Sequence, residues 1–271
     1  MSAPLPETEL SSLEAFAIDL ARAAGEVILP LFRAEHGLED KGGPDVFDPV
    51  TAADKGAEAA IRTAIAARYP GHGVIGEEYG EDRPDAEFVW VLDPVDGTRA
   101  FIAGLPLWTT LIGLRHQGRP VVGVIGQSYL DEIYVGTAMG SRLIHRGLTR
   151  RLQVRPCPDL RQALITTTDP HLFTGAEFGA WTQVRSTGRL TRYGCDAYGF
   201  AMVAAGTMDL VVEAGLKAWD IEAAIPLLEG AGGLVTDWRG EPVGRQGGQV
   251  VIAGDRACLD HALVALKRAA H

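Results

Sequence analysis

Trp90-Val91-Leu92-Asp93-Pro94-Val95-Asp96-Gly97-Thr98 decides how the chain is organised. Phe88 to Leu92 is a short apolar run bounded by polar residues, the pattern of a buried strand, and Asp93-Pro94 is expected to stop it. Two carboxylates three residues apart then stand at the mouth of that strand, stiffened by Pro94 and released by Gly97. The arrangement suits a hard cation. Mg²⁺ prefers near-octahedral oxygen ligands and keeps several waters, so a few carboxylates, a backbone carbonyl and further oxygens complete its shell. Asp-Pro and Asp-Gly also make plain turns, so the segment read alone leaves both interpretations open.

Upstream of this segment, apolar residues from Leu10 to Leu31 recur at steps of three and four, which predicts a helix over Glu9 to Phe32, kinked or ended near Pro30. A Gly/Asp/Pro-rich stretch from Gly37 to Pro49 breaks the pattern, and a second helix is expected from Ala53 to Tyr69, stopped by Pro70-Gly71. Gly73 to Gly76 reads as a strand entering Glu77-Glu78. Downstream, strand-like runs at Leu107 to Leu114, Pro120 to Gln127 and Glu132 to Thr137 predict an antiparallel sheet.

Beyond Leu152 helices and strands alternate: a strand at Ala163 to Thr167, a helix at Ala176 to Trp181 and a strand near Gln183-Val184. A helix at Asp196 to Ala205, a strand at Leu210 to Glu213 and a helix at Asp220 to Gly230 follow. Strands at Leu234 to Asp237 and Val250 to Ala253 precede a closing helix, Arg256 to Ala269. With no internal repeat, low-complexity segment or flexible linker, 1–271 is expected to be one layered α/β unit. Its halves, about 1–150 and 151–271, would share one cleft.

Hydrophobic residues make up 46% and charged residues 22% of the 271, which is globular rather than disordered usage. The net charge of -10 opposes the field of nucleic acid, and no Lys/Arg-rich run supplies a local exception, so no nucleic-acid partner is expected. Cys157, Cys195 and Cys258 are odd in number and free of any CxxC spacing, which fits a reducing cytoplasm and neither a disulfide framework nor a zinc knuckle. The N-terminus lacks a signal-like pattern and no apolar run approaches the ~20 residues of a membrane span, so secretion and membrane insertion are disfavoured.

Three further acidic segments stand at expected element ends: Asp48-Pro49-Val50-Thr51-Ala52-Ala53-Asp54, Gly76-Glu77-Glu78 and Ala218-Trp219-Asp220. Thr51 or Asp54 can cap the following helix, whereas Asp48 is placed in the site. The combination of Gly76-Glu77-Glu78, Asp93 to Thr98 and Trp219-Asp220-Ile221-Glu222-Ala223-Ala224 resembles the inositol monophosphatase superfamily, over the chain from the opening helix to about Asp237. The resemblance implies the αβαβα sandwich shared with fructose-1,6-bisphosphatase, Mg²⁺-dependent phosphomonoester hydrolysis and a homodimer.

Carried over by motif, the resemblance implies that Glu77, Asp93, Asp96, Asp220 and the Val95 carbonyl hold two or three Mg²⁺ ions. Thr98, supported by Asp48 and Glu77, would orient an attacking water. Such ions polarise the phosphoryl group and acidify water, so no protein nucleophile is needed. The amides of Gly97 and Thr98, at a helix start, would grip the phosphate.

Within the superfamily, Asp96-Gly97-Thr98-Arg99-Ala100-Phe101, Thr166 to Phe173 and Thr191 to Tyr198 are more similar to the histidinol-phosphate phosphatase branch than to the inositol branch. That implies a substrate contacted by Asp96, Gly97, Thr98, Arg99, Arg192, Asp196, Glu213 and Asp220. Arg192 would pair with phosphate or form a structural ion pair, and Asp196 and Glu213 would meet a cationic amine or imidazole. Cys195 stands where the pattern leads us to expect glycine. The competing readings are an inositol-phosphate or other sugar-phosphate phosphatase, and a non-catalytic metal-binding module, against which the intact carboxylates argue. His171 receives no role, and Gly230-Ala231-Gly232-Gly233, which follows a helix, reads as a helix end rather than a phosphate loop.

Overall fold

A computed structural model describes residues 5–35, 37–40 and 49–271. The first helix, α1 (Glu7–Ile28), turns its Leu13, Ala17, Leu20, Ala24 and Ile28 stripe to the core and tightens into a 3₁₀ turn, Leu29–Leu31, at Pro30. A two-residue pair, β1 (Glu39–Asp40) and β2 (Pro49–Val50), precedes α2 (Ala52–Arg68). Thr51 starts α2 through a capping box: its Oγ1 accepts from the Ala53 amide at 3.2 Å, and Asp54 Oδ2 accepts from the Thr51 amide at 2.8 Å.

The strands β3 (Gly73–Gly76), β4 (Gly80–Asp82) and β5 (Phe88–Asp96) lead to a short helix, α3 (Thr98–Ile102). Five more strands follow: β6 (Thr109–His116), β7 (Arg119–Gln127), β8 (Glu132–Thr137), β9 (Gly140–His145) and β10 (Leu148–Arg151). Together they form one eight-stranded sheet in the order β10-β9-β8-β7-β6-β5-β3-β4, in which β3 and β5 run parallel and the other neighbours antiparallel.

In the second half, β11 (Leu164–Thr167), α4 (Ala176–Thr187), β12 (Leu190–Tyr193), α5 (Asp196–Ala204), β13 (Leu210–Leu216), α6 (Ala218–Ile221) and α7 (Ala224–Gly230) are followed by β14 (Leu234–Thr236), β15 (Gly248–Ala253) and α8 (Arg256–Leu266). The five strands order as β12-β11-β13-β15-β14. The layers are set by which faces are apolar. Helices α1 and α2 cover one face of the large sheet around Ile61, Trp90 and Ile112. Helices α5 and α7 fill the space between the sheets around Leu111, Phe200 and Ile252. Helices α4 and α8 cover the outer face of the small sheet around Trp181 and Leu259. The result is the αβαβα sandwich. Truncating a fully buried member such as Ile61 to Ala costs about 2–5 kcal/mol through lost transfer energy and the cavity left behind.

Several expectations are corrected. Asp93-Pro94 does not stop β5, which continues to Asp96 through a bulge. The Gln183-Val184 strand is the continuation of α4, and the strand lies at β12. The single helix from Asp220 to Gly230 is two, α6 and α7. The hairpin β9–β10, turned at Arg146 and Gly147 with φ of 49° and 75°, was not foreseen. It leaves Arg146, Arg150 and Arg151 exposed at the open edge of the large sheet, a local basic stretch in an acidic chain. The three cysteines are free and buried, and no helix among the described residues is long and apolar enough to cross a membrane.

Candidate metal centre and substrate cleft

On a regular strand, residues three apart face opposite sides. Between Asp93, opposite Leu111, and Asp96, opposite Thr109, β5 advances three residues while β6 advances two. This bulge turns both carboxylates to one side. It is where a strand accepts Pro94, which has no amide hydrogen to give. The bulge is pinned by the Thr110 hydroxyl donating to the Pro94 carbonyl at 2.8 Å and the Val95 amide donating to Asp93 Oδ1 at 3.1 Å. Gly97, at φ 81°, then swings the chain into α3, a conformation that disfavours any side chain.

Asp220 comes from the other half, on α6, where its Oδ2 accepts from the Lys217 amide at 2.6 Å. One carboxylate oxygen each from Asp93, Asp96 and Asp220 lies within 4.8 Å of the others. Burial raises all three, and neighbouring carboxylates add to it. Asp93 is pushed well up by burial and then by Glu77, Asp96 and Asp220, Asp96 by burial and Asp196, and Asp220 by burial to about 6. Carboxylates held this close, Asp93 buried and Asp96 and Asp220 half-buried, fit a hard divalent cation, which relieves the repulsion. Glu77 and Val95 line the same cleft of about 280 Å³ as Asp93, Asp96 and Asp220.

Thr98 has one partner that was not expected. Its Oγ1 lies 3.1 Å from the Val95 carbonyl and 3.4 Å from Asp54 Oδ1. Asp54 therefore caps α2 with one oxygen and faces Thr98 with the other. Asp48 lies outside the described residues. The signal for Asp54 was present in its spacing from Thr51, but the capping role absorbed it.

The same cleft is lined by Gly97, Thr98, Arg99, Thr168, Leu172, Asp196, Glu213 and Leu216. Asp196 opens α5 at φ 45°, uncommon for a side chain, and directs the Ala197 amide onto Asp96 Oδ2 at 2.7 Å. Burial raises Asp196, against a hydrogen bond with Thr168 and the nearby Arg99 charge. Glu213 Oε1 accepts from the Thr168 amide at 2.8 Å and its hydroxyl at 3.1 Å, and Oε2 from the Thr167 hydroxyl at 3.2 Å; burial still pushes it up to about 8. Arg99 reaches across the mouth to Asp169, 3.9 Å away. Arg192 is not among the residues lining this cavity; it is exposed on β12, the outer strand of the small sheet.

The family model of the inositol monophosphatase family matches residues 9–270. The chain belongs to the inositol monophosphatase family. Its relatives include the bifunctional phosphatase IMPL2, chloroplastic, of Arabidopsis thaliana, 43% identical over 239 residues that span 88% of this chain and 67% of that one. A histidinol-phosphatase of Chlorobaculum parvum is 34% identical over 83% of this chain and 85% of its own length. Among solved structures, an inositol monophosphatase from Zymomonas mobilis superimposes with a TM-score of 0.84 at 39% identity, covering 95% of this chain and 98% of that one. Inositol monophosphatase family membership makes the chain a phosphatase of small phosphorylated substrates, and the family is metal-dependent.

Proposed function

We propose that this member is a Mg²⁺-dependent phosphomonoesterase that hydrolyses L-histidinol phosphate to L-histidinol and phosphate. The observation that carries the substrate is the pair Asp196, half-buried, and Glu213, buried, two carboxylates that line the cleft together with the cluster of Asp93, Asp96 and Asp220. An uncharged sugar alcohol gives such a pair nothing to neutralise; an ammonium or imidazolium does. A relative of 34% identity bearing the name histidinol-phosphatase supports the same reading.

Asp93, Asp96, Asp220, Glu77 and the Val95 carbonyl would hold Mg²⁺, two or three ions in all. The chemistry supplied by bound Mg²⁺ is polarisation of the phosphoryl group and acidification of water. Thr98, with its hydroxyl between Asp54 and Val95, is placed to orient a water and pass its proton to Asp54 Oδ1. Glu77, which lines the same cleft, shares this task. The Gly97 and Thr98 amides and Arg99 bind the phosphate, and Asp169 holds Arg99 at the mouth. Arg192 is given no part in this cleft.

We further read 1–271 as one folding unit acting as a homodimer in the cytoplasm. The test of the function is phosphate release from histidinol phosphate by chelator-stripped protein before and after Mg²⁺ is restored. The reading expects turnover only after restoration; turnover unaffected by stripping contradicts it. The second reading, an inositol-phosphate phosphatase, is favoured by the similarity to the Zymomonas enzyme and is separated by substrate competition.

A further inference from the structure

The three carboxylates of the metal cluster come from both halves of the chain, yet all are referenced to strand β6. Asp93 and Asp96 sit on β5 opposite Leu111 and Thr109 of β6. Two residues beyond Leu111, Gly113 pairs with Gly123 of β7, and these glycines form a bare patch on the sheet. The turn that carries Asp220 lies on that patch. A Cβ on Gly113 would come within 3.0 Å of Glu222 Cβ, and one on Gly123 within 1.9 Å of the Ala223 carbonyl oxygen. Two residues further on the same face of β6, Arg115 Nη2 donates to Glu222 Oε1 at 2.5 Å and to the Arg245 carbonyl at 3.2 Å.

This ion pair joins the halves from inside. Both side chains are about 6% exposed, and among the described residues neither Arg115 Nε nor Glu222 Oε2 has a hydrogen-bond partner. A single-pronged, incompletely satisfied buried pair is a poor source of stability, because desolvation of both charges offsets their attraction, and apolar residues of similar volume are often as stabilising or more so. Its value lies in direction. Glu222 follows Asp220 by two positions on a helical turn, about 200° around the axis, so Asp220 faces the cleft while Glu222 faces the sheet.

Resting on the metal-dependent reading above, we propose that Arg115 and Glu222 form a strut that sets the spacing of Asp220 from Asp93 and Asp96, and thereby the cation affinity of the cluster. Neither residue touches the ion; both are positioning residues acting through α6. Supporting partners of metal ligands typically change affinity by about 10–100-fold when altered.

The test is Mn²⁺ titration of the full chain followed by electron paramagnetic resonance, with melting temperature measured alongside. Glu222→Asp keeps the charge but shortens the strut, and is expected to weaken Mn²⁺ binding by about tenfold with little change in melting. The apolar pair Arg115→Met with Glu222→Leu is expected to melt at or above wild type and still bind Mn²⁺ about tenfold more weakly. Wild-type affinity in either variant overturns the strut, as does an affinity that recovers together with melting in the apolar pair. Wild-type protein that binds no Mn²⁺ removes the metal reading itself, and the strut with it.

Discussion

Thr98 Oγ1 lies 3.4 Å from Asp54 Oδ1, joining residues 44 positions apart, while the other oxygen of the same carboxylate closes the capping box of α2. A helix start and the carboxylate facing Thr98 in the cleft are thus one side chain. Asp54→Asn should lower kcat by about a hundredfold or more, the usual reach of a lost general base. Thr51→Ala, which removes only the cap, should cost about 1 kcal/mol in stability and leave kcat near wild type. Steady-state phosphate release and thermal melts on both variants check this; a rate loss in Asp54→Asn matched by Thr51→Ala would reduce Asp54 to a cap.

The repulsion within the metal cluster should be visible without catalysis. Asp93→Asn removes one of the mutually raised carboxylates, so the metal-free variant should melt no lower than wild type, while the upward shift that Mg²⁺ gives the wild type should vanish together with turnover. Asp220→Asn should behave alike. Melts with and without Mg²⁺ decide it, and a Mg²⁺ shift of wild-type size in either variant speaks against the ligand assignment.

Glu213 gives a pH-dependent signature. Burial raises it from 4.5 to about 8, so between those values the native state keeps a proton that the unfolded chain has released. Its contribution favours folding below the unfolded value and is lost as pH rises through the folded one. Glu213→Gln stays neutral throughout. Relative to wild type it should therefore gain stability from pH 5 to about pH 8.5. Denaturant unfolding at the two pH values measures this, and an equal difference at both would show that Glu213 does not titrate in this window.

Much of the frame was legible from periodicity and breakers: the long opening helix, the second helix after Thr51, the buried strand at Phe88 and the alternation beyond Leu152. What escaped was set by partners distant in sequence. Pro94 reads as a stop in isolation, yet the Thr110 hydroxyl and the register against β6 make it a bulge. Arg142, Arg150 and Arg151 hid a hairpin in which only Ser141 and Leu143 are buried. Asp54 was legible as a cap but not as the partner of Thr98, because the second role exists only once α2 meets α3. Arg192 lay in a suggestive motif, and its strand proved to be the outer one of its sheet.

Selectivity should depend on Asp196. Asp196→Asn removes a charge without changing shape, and a lost contact to a charged group is worth about 1.5–3 kcal/mol. It should lower kcat/KM for histidinol phosphate by about 10–100-fold and leave the phosphomonoester of an uncharged alcohol, such as inositol 1-phosphate, nearly unaffected. Parallel kinetics on the two substrates check it. Equal losses on both would place Asp196 in the phosphate or metal machinery instead.

The most direct measurement is internal competition: wild-type protein with Mg²⁺ and equal amounts of histidinol phosphate and inositol 1-phosphate, both followed in one tube by phosphorus NMR. The ratio of their disappearance is the ratio of kcat/KM. The account predicts that histidinol phosphate is consumed first, by about tenfold or more for one charge contact made only with that substrate. Equal consumption, or inositol 1-phosphate consumed first, contradicts it.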